Sequence, residues 1–355
     1  MPLIAKLFEQ DVMGTAFFLF VSSFLLSLFF VVSKPLHARF STDTIVGDQK
    51  FHQGTVPRIG GLAILLSLMT GVLFADLPEL ATTLFIASLP VAIFGLVEDL
   101  FKSVSSLYRL LASFVTSALF IFLSGVSFTS VDIFLFDEFF DMLFLWPLFT
   151  VIALSALINS INIIDGFNGL ASGASMIMAL GLAVLANQSG DFAIMQICLC
   201  FVAIIFGFFL VNFPKGALFL GDAGAYILGF FLGGLSASLV VRNPDITPLV
   251  LLVVFAYPIV ELLFSFYRKS VRVGHRPDRP DKVHLHMLAY RKYGRRFGEA
   301  PVSRNSITGL LLLLLPLSGL MVVALVPVTR AIALLYFLVF LIVYLRLYKN
   351  LSLNG

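Results

Sequence analysis

The stretch 143-LFLWPLFTVIALSALINSINIIDGFNGLASGASMIMALGLAVLA-186 decides the fold. Two apolar runs, 143–164 and 170–186, flank a polar island that holds Asn159, Asn162, Asp165 and Asn168. Each run is long enough to cross a hydrocarbon core of about 30 Å as a helix. An amide or carboxylate left in hydrocarbon costs several kcal/mol unless something binds it, so a polar island between two such helices calls for a partner or a ligand.

The rest of the chain repeats the pattern. With 59% hydrophobic and 12% charged residues and a mean hydropathy of +1.03, it lies far from a soluble domain, which has roughly 45 to 50% apolar and 25% charged residues. Eleven apolar runs recur, near 13–33, 60–75, 81–97, 106–128, 143–164, 170–186, 192–212, 223–241, 247–267, 306–326 and 331–347. They predict an all-α integral membrane protein, residues 1–355 forming a single polytopic bundle of about 11 transmembrane helices. Glu9 and Asp11 before the first run, with Lys34 and Arg39 after it, mark a retained span rather than a cleaved signal peptide. Cys198 and Cys200 point about 200° apart on a helix, so they cannot bridge each other and read as packing residues. No internal repeat is evident.

Charge assigns the two faces. With 34–58, 98–109, 213–222, 268–304 and the C-terminal tail on one side, 20 of the 23 Lys and Arg residues lie there, against three opposite. The crowded side is expected to be cytoplasmic, which places the N-terminus outside and the C-terminus in the cytoplasm of a bacterial inner membrane. The 11 basic residues from Arg268 to Arg304 suit topology, anionic lipids and, for some of them, a phosphorylated substrate. Nothing points to nucleic acid. Acids of the outer loops, such as Asp132, Asp137, Asp141 and Asp191, read as solvated turns.

The inner acids fall at helix ends: Glu98 and Asp99 in GLVEDLFK, Asp165 in NIIDGFNG and Asp222 in FLGDAGAY. Four carboxylates in one site would repel each other and need a hard cation, for which Mg²⁺ is the natural choice, with Mn²⁺ as a substitute. Magnesium prefers one or two carboxylates plus substrate phosphates. Asn159, Asn162 and Asp165, spaced i, i+3, i+6, make one polar stripe, and Gly166 and Gly169 break the helix around Asn168. Asn residues can also act as interhelical glue, a reading that suits one Asn better than three. In GHRPDRPDKVHLH, residues 274–286, zinc lacks ligand spacing, and His284 and His286 suit phosphate, as does Arg276 in the same basic loop. A fourth island, DQKFHQGTVPRIGG, offers Lys50, His52 and Arg58, and Lys102 follows the acidic pair.

These four islands, in this order, resemble the polyprenyl-phosphate N-acetylhexosamine-1-phosphate transferases of glycosyltransferase family 4. Those include enzymes that start common-antigen, O-antigen and teichoic-acid linkage synthesis, and the related muramoyl-pentapeptide transferase. The resemblance runs from about Gln49 to His286 and is carried by NxxNxxDGxNG and FLGDAG. It implies coupling of a UDP-sugar to undecaprenyl phosphate with Mg²⁺, release of UMP, and a homodimer. By motif it implies a catalytic role for Asp99, with Glu98 and Asp165 as further catalytic candidates, a metal ligand in Asp222, nucleotide and diphosphate contacts from Asn162, Asp165 and Asn168, and a sugar-phosphate loop at His284 and His286. The chain departs from the pattern in carrying Glu98 where an aspartate is usual, and in ending its loop as HLHM rather than with a fuller histidine cluster. The second departure argues against a peptide-bearing substrate. On this reading a lipid-phosphate oxygen attacks the phosphorus bonded to the sugar, with Asp99 as a positioning or weak base group.

The competing expectation is a secondary transporter for an anionic solute. Its best support is Glu261, the one acid well inside a span.

Overall fold

The computed structural model describes residues 12–43, 55–271, 283–293 and 301–352. Among these, nine helices are long and apolar enough to cross a membrane, so the chain is an all-α, multi-pass membrane protein. The apolar runs become α1 (Val12–Val32), α3 (Gly60–Phe74), α4 (Glu79–Phe101), α5 (Ser106–Ser124), α7 (Trp146–Ile164), α8 (Leu170–Gln188), α9 (Phe192–Asn212), α10 (Gly221–Arg242), α11 (Val250–Val254) with α12 (Ala256–Val271), α14 (Pro301–Leu312) with α15 (Leu314–Leu325), and α16 (Arg330–Ser352). Short helices α2 (Lys34–Ser41), α6 (Phe134–Met142) and α13 (Leu285–Tyr293) lie between them, with one two-residue antiparallel pair, β1 (Thr42–Asp43) and β2 (Val56–Pro57).

Three of the eleven expected runs differ from single unbroken helices of full length. α3 has 15 residues, about 22 Å at 1.5 Å per residue, short of a hydrocarbon core of about 30 Å. The run expected at 247–267 is split after Val254, because Pro258 has no N–H for the Val254 carbonyl four residues back. Pro316 does the same to Leu312, where α14 gives way to α15. Pro90 leaves α4 unbroken, and the neighbouring Val91 N–H donates to Thr116 Oγ1 of α5 at 3.2 Å.

At the centre runs α10, with 20 of its 22 residues buried; a helix apolar on every side belongs inside a bundle. It packs against α3, α4, α7 and α8. Close approach needs small residues: a Cβ on Gly95 of α4 would collide with the Ala223 backbone of α10. Cys198 and Cys200 are buried, free and part of this packing. On the far side, Asp132 pairs with Arg330 at 3.0 Å, Asp191 caps α9 and binds Arg242, and Asp141 accepts from Trp146 Nε1, so these acids serve their own loops.

The start of α10 is zipped to the start of α3. Phe219 N–H donates to the Pro57 carbonyl, while Gly60 and Gly61 N–H donate to the carbonyls of Phe219 and Leu220, at 2.8 to 2.9 Å. This gathers the starts of α3, α5 and α10 with the ends of α4 and α7. A valine at Gly95 would push α4 off α10. Gly95→Val is expected to lower stability by about 1–3 kcal/mol or more, read as a lower thermal-unfolding midpoint of the detergent-solubilised protein.

Candidate active site

The first amides of a buried helix have no intrahelical acceptors and must be satisfied by something else. At α10 that acceptor is Asp99 from the last turn of α4. One carboxylate oxygen takes the Asp222 N–H at 2.8 Å and the other the Ala223 N–H at 3.0 Å, where the positive end of the helix dipole also favours an anion. Gly221, at φ +73°, makes this approach feasible, since a Cβ there would collide with Asp99 and with the Arg58 carbonyl. Asp99 is 1% exposed and Asp222 8%.

Two guanidinium groups complete the cluster. Arg58 Nη2 lies 3.3 Å from Asp222 Oδ1 and 3.5 Å from Asp99 Oδ1, and Arg109 Nη1 donates to Asp222 Oδ2. Arg58 is placed by the pairing of 57–61 with 219–220, and Arg109 by the first turn of α5, which Ser105 caps by accepting from Tyr108 N–H. Two buried acids against two cations make a balanced, tightly coupled group, in which removing either partner strands a charge. The sequence gives little hint of Arg109. Its one signal was a basic residue in the first turn of an apolar run.

Asp165 follows the last residue of α7, half-buried, and feels the charges of Arg58 and Asp222. Burial pushes its carboxyl up to about 7; Arg58 opposes the rise and Asp222 adds to it. Asn162 is half-buried on the same stripe, one turn back. Asn159 instead bridges to α5, donating to Ser113 Oγ at 3.2 Å and to the Ser155 carbonyl at 2.8 Å, the glue role. Asn168 ties loops together: its N–H donates to Asn305 Oδ1 at 2.8 Å and its amide to the Pro214 carbonyl and Ser306 Oγ. Glu98 accepts from Val104 N–H at 2.9 Å and shapes the turn after α4, in which Lys102 is left-handed at φ 51°.

His284 and His286 lie beside the Asp165–Asn168 turn. Their rings stack 5.6 Å apart, and His286, 1% exposed, meets the edge of Phe167 at 5.3 Å. Burial pulls the His286 imidazole down to about 3, so it is neutral at ordinary pH. Lys50, His52 and Arg276 lie outside the described residues.

Among the described residues no three His, Cys, Asp or Glu side chains converge as a ligand set. Asp222 and the nearby Asp165 supply hard oxygens at charge-coupling range. That fits a hard cation completed by phosphate and water, and does not fit an all-protein cage.

The sequence model of glycosyl transferase family 4 matches residues 81–240, which contain Asp99, Arg109, Asp165 and Asp222. A Thermotoga maritima undecaprenyl-phosphate alpha-N-acetylglucosaminyl 1-phosphate transferase is 30% identical over 275 residues, 78% of this chain and 80% of its own. The chain belongs to this family. Other relatives include a probable undecaprenyl-phosphate N-acetylglucosaminyl 1-phosphate transferase of Bacillus subtilis, 27% identical over 75% of this chain and 76% of its own. The Escherichia coli undecaprenyl-phosphate alpha-N-acetylglucosaminyl 1-phosphate transferase is 25% identical over 68% and 67%. None of these three names supports transport. Glu261, the mid-span acid that favoured it, is engaged by His284, Leu285 and Tyr344.

The Asp165 carboxyl carries a pH signature. Raised above its ordinary value of 3.8, it contributes stability that is fully present below pH 4 and is lost as pH rises through about 7. In chelator and without substrate, thermal stability of the wild-type protein should decline from pH 5 to pH 8, and the decline should be shallower in Asp165→Asn.

Proposed function

We propose that the chain transfers N-acetylglucosamine 1-phosphate from its UDP conjugate to undecaprenyl phosphate and releases UMP. The family assignment and the relatives' names support this chemistry. The observation that carries it within the chain is the Arg58–Asp222–Arg109 cluster at the clustered helix ends, beside Asp165. A lipid phosphate is confined to the interface and a nucleotide sugar to water, so helix ends are where the two can meet.

In the reaction an oxygen of the lipid phosphate forms a bond to the phosphorus that carries the sugar. The bond from that phosphorus to the bridging oxygen breaks, and UMP leaves with the electron pair. The protein's task is positioning and charge neutralisation. Arg58 and Arg109 can turn from Asp222 to phosphate oxygens, which guanidinium forks bind in pairs. Asp99, with both oxygens on backbone amides, holds the start of α10 in register and so sets where Asp222 stands. Asn162, one turn before Asp165 on the same stripe, would offer its amide to the nucleotide sugar. Asp222, with Asp165 near it, would hold Mg²⁺, or Mn²⁺ in its place, which when bound neutralises diphosphate charge. An apolar cavity of about 400 Å³ between α7 and α11–α12, lined by Leu154, Leu157, Phe255, Ile259 and Leu262 among others, offers hydrocarbon contact to a polyprenyl chain.

We also infer from the 20-to-3 charge split that the site faces the cytoplasm of a bacterial inner membrane, with the N-terminus outside and the C-terminus inside. The homodimer stays a proposal on family resemblance. The transferase reading is tested by UMP release from UDP-N-acetylglucosamine by purified protein, which should require undecaprenyl phosphate and a divalent cation. Asp99→Asn should lower turnover at least about 10³-fold, and Arg109→Ala about 10²-fold, on the scale of losing a key electrostatic group. UMP release without lipid phosphate, or wild-type rates in both variants, would sink the assignment. A reporter active only in the cytoplasm should be active after Gly355 and silent in the loop at Asn187 to Asp191, and the reverse would overturn the orientation.

A further inference from the structure

Glu261 has no part in the reaction as described, although it is fully buried in α12, in the middle of an apolar run. A buried carboxylate is costly unless its oxygens are satisfied. Here three donors meet it. His284 Nδ1 lies 2.9 Å and Leu285 N 3.2 Å from Oε1, and Tyr344 of α16 donates its hydroxyl to Oε2 at 2.8 Å. Since a carboxylate only accepts, the hydrogen between His284 and Glu261 sits on Nδ1, which fixes the tautomer and turns Nε2 to the opposite edge of the ring. Tyr344 on the second oxygen keeps the carboxylate from rotating.

The chain on both sides of His284 is held as well. Arg268 donates to the Val283 carbonyl at 2.6 Å, and Leu285 N–H is taken by Glu261 itself. One ring face lies against His286, nearly parallel at 3°, and His286 in turn abuts Phe167 of the Asp165–Asn168 turn. The His284 side chain keeps 12% of its surface exposed, whereas His286 is 1% exposed. His284 is therefore clamped on Nδ1, on its backbone and on one face, and among the described residues no hydrogen bond engages Nε2.

We infer that Glu261 is a positioning residue for His284, holding the imidazole from within the membrane so that Nε2 meets a phosphate or sugar oxygen of the nucleotide sugar. This rests on the transferase reading of the site. The arrangement is a carboxylate–histidine pair, in which the carboxylate fixes tautomer and orientation and does not itself react. Tyr344 anchors the pair to the last span.

The test is a double-mutant cycle on the full-length protein. Glu261→Leu should lower kcat/KM for UDP-N-acetylglucosamine about 30-fold, mostly through KM, with KM for undecaprenyl phosphate within about 2-fold. Glu261→Gln keeps a carbonyl for Nδ1–H and should lose only about 5-fold. In a His284→Ala background both losses should shrink below about 3-fold, because the group being positioned is gone. Equal losses in both backgrounds, or equal damage to both substrates, would show a merely structural tether and overturn the inference. If Glu261→Leu does not fold, the Glu261→Gln cycle decides on the same criterion. If wild-type protein releases no UMP at all, the transferase reading fails, and the pair is then judged on ¹⁵N signals of labelled histidine. Nδ1 of His284 should be protonated in the wild type and no longer uniformly so in the Glu261 variants; unchanged signals would overturn the inference.

Discussion

A carboxylate from one helix capping the buried start of another is the contact on which the rest of the structure depends. The first turn of α10 lies inside the bundle, where water cannot satisfy its amides, so Asp99 must reach them from α4. That requirement dictates its neighbours. Gly221 must lack a side chain, Gly95 must let the two backbones touch, and 57–61 must pair with 219–220 to bring Arg58 in. Asp222, whose own N–H Asp99 takes, then stands at the bundle's end with two guanidinium groups on it. Helix packing and site geometry are one problem here, because the residues that close the core also aim the charges.

The same end of the bundle divides its polar residues between two tasks. Asn159, Asn168, Asn212 and Glu98 satisfy backbone or side-chain groups of neighbouring helices and turns. Asp165, Asn162, Arg58, Arg109 and Asp222 are the groups proposed to meet phosphate and cation. A neutral cluster of two acids and two arginines is stable while folded and empty of substrate, and an incoming diphosphate can take over the guanidinium groups from Asp222. On the other side of the turn, His284 is braced by Glu261 and Tyr344, so the loop that carries it is tied to α12 and α16.

Much of this architecture was legible from residue order. Hydropathy alone placed the helices to within a few residues, because a span needs a minimum apolar length whatever its neighbours do. The breaks at Val254 and Leu312 were written in Pro258 and Pro316, yet an apolar count passes over them, since proline removes a hydrogen bond without removing hydrophobicity. The polar islands at 159–168 and 219–226 were conspicuous because polar residues are costly next to hydrocarbon. Arg109 was not conspicuous, since a lone arginine at the start of a span is also what membrane topology requires.

The sequence by itself determined the solvent, the class of fold, the helix-forming segments and the set of acids and amides that gather at one membrane face. Those follow from transfer free energies that act residue by residue. Only the tertiary structure decided which polar side chains bind each other and which stay available. Asn159 and Asn168 went to structure, Asp99 to the cap of α10, and Glu261 to His284, because partners such as Ser113, Asn305 and Tyr344 arrive from helices distant in sequence. A buried polar group takes the best donor within about 3 Å, and which donor that is depends on how the helices pack.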